Sequence, residues 1–294
     1  MFKSLITLIF CFSLIPHAFA EIKVRWLTVA SVIIEDGESA ILVDPAWTRP
    51  TLLNALGLSR LKSDEKLVES ELKKLNITKV DGIFTSHQHF DHSLDAPVVA
   101  RLTGAVNYVD ENSLLISNAF KDPRIKTKMI SDNGIIEIGK FKITTMKREH
   151  AAIRAMGTKF LPGAVPADFD FGFWQYHEGQ TWFYLIEHPE KNILLDQASE
   201  SRPDLIAGKT KKIDVLIQGI ANRESDKVFL DGYLKIYNPS VFIPLHFDNF
   251  FKQFDGKDPG RLYGVKFEEI LGKIKKEFPQ TKVIDPVYGE AYSL

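Results

Sequence analysis

Ser86-His87-Gln88-His89-Phe90-Asp91-His92 is the stretch that decides the fold. Four groups that bind divalent metals fall within six residues, in the pattern H-x-H-x-D-H. Before it, Val80-Asp81-Gly82-Ile83-Phe84-Thr85 reads as a short buried β-strand. After it, Leu94 to Leu102 reads as a helix with Asp95 near its N-terminus. The motif is therefore expected on a strand-to-helix loop, where a rigid scaffold fixes side chains yet leaves them open to solvent. Imidazole nitrogens at about 2.0–2.1 Å and a carboxylate oxygen at about 2.0–2.2 Å suit zinc or a similar borderline ion. Alternation lets His87 and His89 point to one ion and places Asp91 and His92 to serve a second.

Working outward, Met1 to Ala20 reads as a secretory signal peptide. Lys3 gives a positive start, Leu5 to Ile15 an apolar run, and Ala18-Phe19-Ala20 a cleavage site before Glu21. The run is too short to span a bilayer comfortably. Phe10 before Cys11 is too bulky for a lipoprotein signal, so a periplasmic or secreted location is expected, with no transmembrane anchor after cleavage. Cys11 is the single cysteine, so the mature chain has neither a disulfide nor a thiolate ligand. Residues 21–294 read as one domain: no repeat, low-complexity tract or linker interrupts them. The chain is 45% apolar and 26% charged with net charge −1, an ordinary globular composition that offers nucleic acid no basic surface.

Along the chain, Ile22 to Thr28, Ser31 to Glu35 and Ala40 to Val43 form an opening meander that ends at Asp44-Pro45. Asp44 is either a turn former or a carboxylate that orients a ligand histidine. Thr51 to Leu61 and Glu65 to Leu75 read as helices, Ala105 to Val109 as a strand, and Glu111 to Phe120 as a helix. Gly134 to Ile138 and Phe141 to Met146 form a hairpin, and the second strand runs out at His150. Ala151 to Asp170, with Met156, Phe160 and Phe169, is long for a plain loop and resembles a lid or binding loop. Phe171 to Tyr176 and Thr181 to Glu187 read as an aromatic hairpin. Phe173, Trp174, Trp182 and Phe183 are then sheet core or, as a group beside His150, the wall of an acyl pocket. Asn192 to Asp196 and Val241 to His246 are strands with a polar residue at the end, Ile213 to Ile217 is another strand, Phe229 to Tyr237 and Val265 to Phe278 are helices, and Lys282 to Ile284 is a last strand.

His87, His89, Asp91, His92, His150, Asp196 and His246 thus collect at the ends of apolar runs, and they include five of the seven histidines after Ala20. This set resembles the metallo-β-lactamase superfamily, whose signature is the H-x-H-x-D-H loop. The resemblance covers Ile22 to Ile284 and implies an α/β chain with the four-layer αββα fold. The Ile41-Leu42-Val43-Asp44-Pro45 and Ile243-Pro244-Leu245-His246-Phe247-Asp248 segments are similar to lactonase-like and N-acyl-phosphatidylethanolamine phospholipase-D-like branches. By the family's motifs, His87, His89 and His150 would bind the first metal, and Asp91, His92 and His246 the second. Asp196 would bridge them, with Asp44 in support. Antibiotic-hydrolysing members usually lack that bridging Asp, so the chain looks like dinuclear members that cleave esters, thioesters, lactones or phosphodiesters.

The expected cofactor is a pair of divalent ions, zinc first, with iron or manganese as alternatives. Two such ions share a water and ionise it near neutral pH, giving a hydroxide nucleophile bridged between them. Asp91 would orient that water or take its proton, and losing Asp196 would lose or misplace the second ion. The substrate is expected to be a small molecule or lipid-like. Two other classes stand beside a hydrolase: an iron-dependent oxidoreductase of the same fold, and a non-catalytic metal- or ligand-binding protein.

Overall fold

The computed structural model describes residues 21–152 and 158–294. The proposed signal peptide, Met1 to Ala20, lies outside the described residues, as do Met156 and Gly157 of the long loop. Among the described residues, fourteen strands form two seven-stranded mixed sheets. The first sheet is built from β1 (Lys23–Thr28), β2 (Ser31–Glu35), β3 (Ala40–Val43), β4 (Gly82–Phe84), β5 (Val106–Val109) and β6 (Lys126–Met129). The second is built from β7 (Ile135–Ile138), β8 (Phe141–Arg148), β9 (Thr181–Glu187), β10 (Asn192–Asp196), β11 (Val215–Gly219), β12 (Val241–Leu245) and β13 (Lys282–Val283). The last strand, β14 (Ala291–Ser293), returns to the edge of the first sheet and pairs antiparallel with β1. In both sheets an antiparallel part joins a parallel part: β3 to β6 run parallel in the first, and β10 to β13 in the second.

Alternation along the strands sets the layers. Ile34, Val43 and Phe84 face the second sheet and share a buried cluster with Ile143, Phe183 and Leu194. Their neighbours Ile33, Leu42 and Ile83 face outward, onto Val68 and Leu72 of helix Glu65–Lys74 and Val98 and Val99 of helix Ala96–Thr103. On the other side, helix Phe267–Glu277 turns Ile270, Leu271 and Ile274 into the inter-sheet cluster's continuation. The architecture is the four-layer α/β fold, two mixed sheets between helices.

Three expectations from the sequence need correction. The helix at Thr51 to Leu61 is a single turn, Leu52–Ala55. Its leucines have no face to bury, with Leu52 73% exposed, and Gly57 turns the chain at φ +71°. Phe171 to Tyr176 is not a strand. The Gln175 side chain accepts N–H bonds from Asp170 (2.9 Å) and Gly172 (3.0 Å), which closes a short 3₁₀ turn at Phe173–Gln175. Its aromatics pack in a separate small core with Leu61, Phe90 and Ile116, and β9 pairs with β8 and β10 instead. The stretch Phe229 to Tyr237 is not one helix but three short pieces broken at Gly232. Two strands carried no hydrophobic signal: β6 is exposed throughout, as suits a lysine-bearing sheet edge, and β14 is half-exposed.

Candidate metal centre

Every polar residue singled out at a strand end lies at a C-terminal end, where open parallel sheets present their sites. Asp44 follows β3, the H-x-H-x-D-H segment follows β4, His150 follows β8, Asp196 closes β10 and His246 follows β12. Asp44 and His246 sit at φ +49° and +56°, left-handed values rare for non-glycine residues. Both turn the chain sharply off a strand and aim the side chain inward. Asp91 and His92 lie in a one-turn helix, Phe90–Ser93, rather than in open loop.

Two donor groups result: His87 with His89 and His150, and Asp91 with His92 and His246. Within each, the ligand atoms lie within 4.8 Å of one another. The partners of the remote ring nitrogens fix the tautomers of the first group. His89 Nε2 lies 2.8 Å from the Phe160 carbonyl and His150 Nδ1 lies 2.7 Å from the Ala151 carbonyl, so both nitrogens must donate. The Ser86 hydroxyl donates to Asp44 Oδ2 at 2.6 Å, so at 3.1 Å its oxygen accepts from His87 Nδ1. The nitrogens left over are bare lone pairs. They face one another, His87 Nε2 being 2.9 Å from His89 Nδ1 and 3.2 Å from His150 Nε2. Three converging lone pairs repel unless a cation sits among them, so the donor set fits a metal ion.

The electrostatics agree. Burial, reinforced by the neighbouring histidines, holds His87 well below its usual range. Burial pushes His89 down to about 4 and His150 to about 3, so all three rings are neutral and can ligate at neutral pH. In the second group, burial works against the charge on Asp91, but His92 and His246 hold the carboxyl well below its ordinary value. Burial also opposes a charge on His92, but the Asp91 and Asp44 carboxylates outweigh it and raise that ring. Asp44 is fully buried and takes hydrogen bonds from Ser86 N–H (2.6 Å), Ser86 hydroxyl (2.6 Å) and His92 Nδ1 (2.8 Å). His246 Nδ1 is buried without a partner.

Asp196 stands outside both groups. It is buried, and its Oδ2 is taken by the Arg148 guanidinium and by the Tyr233 hydroxyl at 3.0 Å; Oδ1 accepts Ala198 N–H at 3.0 Å. His177 and His188 also stay out of the groups, with His188 beside Asp36 at 3.4 Å.

Both donor groups and Asp196 line one open cavity of about 1330 Å³. One wall carries Leu52, Phe160, Phe173 and Trp174, and another Phe250, Phe251, Leu262 and Tyr263. Trp174 and Phe173 therefore belong to the cavity, and Phe183 to the sheet core; Trp182 is buried yet borders the cavity. Sequence reasoning missed Arg148, Leu52 and the second wall. For the second wall the available signal was the aromatic pair Phe250-Phe251 just after His246.

Residues 24–167 match the model of the Metallo-beta-lactamase superfamily. The chain thus carries a metallo-β-lactamase superfamily domain, and its relatives are named metal-dependent hydrolases. Among its relatives, the UPF0173 metal-dependent hydrolase of Thermoplasma volcanium is 25% identical over 276 residues, 91% of this chain and 99% of that one. That of Rubrobacter xylanophilus is 31% identical over 125 residues, 40% of this chain and half the length of the relative. Among solved structures, the metallo-β-lactamase fold protein YhfI of Bacillus subtilis covers 93% of this chain and 100% of its own at TM-score 0.59 and 14% identity. CmlA, a diiron β-hydroxylase from Streptomyces venezuelae, covers 93% of this chain and 54% of its own at TM-score 0.55 and 12% identity. These likenesses are of fold.

Proposed function

We propose that the chain is an exported hydrolase that uses two divalent ions, zinc first, to cleave an ester, lactone or phosphodiester bond in a small-molecule or lipid-like substrate. The observation that carries this reading is the meeting of three bare imidazole lone pairs beside a second Asp-His-His group in one cavity. His87, His89 and His150 would hold one ion, and Asp91, His92 and His246 the other. Such ions supply Lewis acidity, which ionises a water near neutral pH and polarises the scissile oxygen. Imidazole donors without thiolate suit zinc and iron, and a carboxylate suits manganese, so zinc is taken first with iron and manganese as alternatives.

The chain's own residues do the rest. Asp91, ionised and with one oxygen 3.5 Å from His246 Nε2 and 3.7 Å from His92 Nε2, is the group placed to orient an attacking water or take its proton. Asp44 keeps the His92 ring turned and its Nδ1 proton in place. The wall of Leu52, Phe160, Phe173 and Trp174 supports an acyl-bearing substrate, whose apolar part would exclude water from the reacting bond. Export rests on the signal-like Met1 to Ala20, and N-terminal sequencing of the secreted or periplasmic form should begin at Glu21.

The test is a paired assay on the zinc-loaded mature protein, with a chromogenic phosphodiester in one cuvette and a chromogenic acyl ester in the other, each repeated with a chelator. Chelator-sensitive turnover of either supports the reading and chooses the bond. Silence in both, with two ions bound, would favour a binding protein. Tightly bound iron with oxygen consumption would replace hydrolysis by oxidation.

A further inference from the structure

The residue that the fold puts against Asp196 is an arginine, not a metal donor. Arg148 closes β8, two residues before His150, and its side chain is as buried as that of Asp196, each 1% exposed. Its Nη1 reaches both Asp196 Oδ2 and the Glu200 carbonyl (2.9 Å), and its Nε donates to the Glu149 carbonyl (3.3 Å). Tyr233 adds a second donor to the same oxygen while its own oxygen accepts Arg202 N–H at 2.8 Å. The tyrosine is held in turn by Ser201, whose hydroxyl accepts Tyr233 N–H at 3.0 Å.

A carboxylate has about four lone-pair sites, two on each oxygen. On Asp196, Oδ2 has both taken, by Arg148 and Tyr233, and Oδ1 has one taken, by Ala198 N–H. One lone pair remains. A carboxylate in that state has no second site with which to span two ions, either through both oxygens or through one. Charge points the same way. Asp91 is the single anion in the two donor groups, and the negative charge of Asp196 is cancelled where it stands by the guanidinium. Bridging would require Asp196 to give up the buried Arg148 guanidinium and the Tyr233 hydroxyl, leaving Arg148 with the Glu200 carboxylate, 4.0 Å away, as its acidic neighbour.

We propose that Arg148, with Tyr233, is a positioning residue that holds Asp196 off the two donor groups, so that each ion is kept by its own three side chains and the two load independently. This rests on the two-ion reading above. The two can fail separately. Metal content of two per wild-type chain tests the reading, and the difference between wild type and a variant tests the role of the pair.

The variant is the double exchange Arg148→Met with Asp196→Asn, which removes both charges at once and leaves neither partner stranded. Stepwise cobalt titration, followed by visible absorption and calorimetry, reads each ion's affinity. Both affinities should stay within about tenfold of wild type, the low end of what losing a group around a ligand costs. A folded double variant that binds one ion normally and the second more than about tenfold weaker would overturn the proposal, because a lost bridge costs more than a lost neighbour. A crystal of zinc-loaded wild type decides the matter even if the variant does not fold. The Arg148–Asp196 pair should be intact there. An Asp196 oxygen within about 2.0–2.2 Å of both ions would sink the idea.

Discussion

Asp44→Asn separates the charge of Asp44 from its unusual backbone. Residue 44 sits at φ +49°, a conformation in which asparagine is as comfortable as aspartate, so the exchange adds no strain. Three hydrogen bonds end on the carboxylate, two on Oδ2 and one on Oδ1. The asparagine oxygen can keep the one from Ser86 N–H. Its amide nitrogen then stands where Oδ2 stood and offers hydrogens to the Ser86 hydroxyl and to His92 Nδ1–H. Two hydrogen bonds to a charged acceptor are lost, at about 1.5–3 kcal/mol each, so the fold should lose about 3–6 kcal/mol. To escape the clash, His92 must move its proton to Nε2, the nitrogen it would give to an ion. The loss in metal affinity should be that of a removed supporting carboxylate, about 10–100-fold, or about 1.4–2.7 kcal/mol. Competition against a chelating dye measures the second effect, and thermal melting of the metal-free protein measures the first. Unchanged affinity for both ions together with an unchanged melting temperature would refute the tautomer argument.

Acidification should weaken the metal-free protein in a definite window. His89 and His150 titrate near 6.5 when unfolded but are held at about 4 and about 3 in the fold. The unfolded chain therefore binds more protons between those values, and stability is full above pH 6.5 and falls as pH drops toward 3. Melting temperatures of the apo form from pH 7.5 to 4 should show the decline, and saturating zinc should flatten it near neutrality. At Gly219, an added Cβ would stand 1.8 Å from the Gln197 carbonyl oxygen. Gly219→Ala should therefore force β11 away from the Asp196 turn and cost more than about 3 kcal/mol, read as a fall in denaturation midpoint or loss of soluble protein. Trp174 is 54% exposed on the cavity wall, with its ring 6.4 Å from Phe160. Trp174→Ala should raise KM for a long-chain acyl ester about tenfold while leaving a short-chain ester nearly unchanged, since about 1.5 kcal/mol of apolar contact is removed; equal losses on both esters would argue against an acyl wall.

The donors were legible in the sequence because they punctuate apolar runs: His87 after Ile83-Phe84, His150 after β8, and His246 after Phe242-Ile243. Burial fixes strand position, and a polar side chain at the end of a buried strand has few roles. The cavity walls were not legible, because Leu52, Phe160 and Trp174 lie on loops whose contacts depend on folding over distance. Trp174 Nε1 donates to the Ala55 carbonyl, 119 residues away in sequence, and Leu61 N–H to Phe171. The aromatic stretch at 171–176 was misread for the same reason. Its period looked like a strand's, but a local side-chain acceptor, Gln175, won over sheet pairing. Arg148 was invisible for a different reason: nothing local distinguishes a buried arginine from an exposed one when its partner lies 48 residues on.

The segment from Ser86 to His92 is sewn to the opposite sheet as well as to its own. Trp182 N–H donates to the Ser86 carbonyl, Gln88 N–H to the Glu178 carbonyl, and the Tyr184 hydroxyl to the Thr85 carbonyl at 2.8 Å. The walls, by contrast, hang from loops that meet the donors at few points, of which the Phe160 carbonyl on His89 Nε2 is one. Chemistry and selectivity are thus mounted on largely separate parts. Replacing the cap between 161 and 176 by a segment of another shape, with Phe160 kept, should redirect the molecule to a different substrate while the ion affinities stay put, and a lineage could change its diet by trading loops without rebuilding the engine.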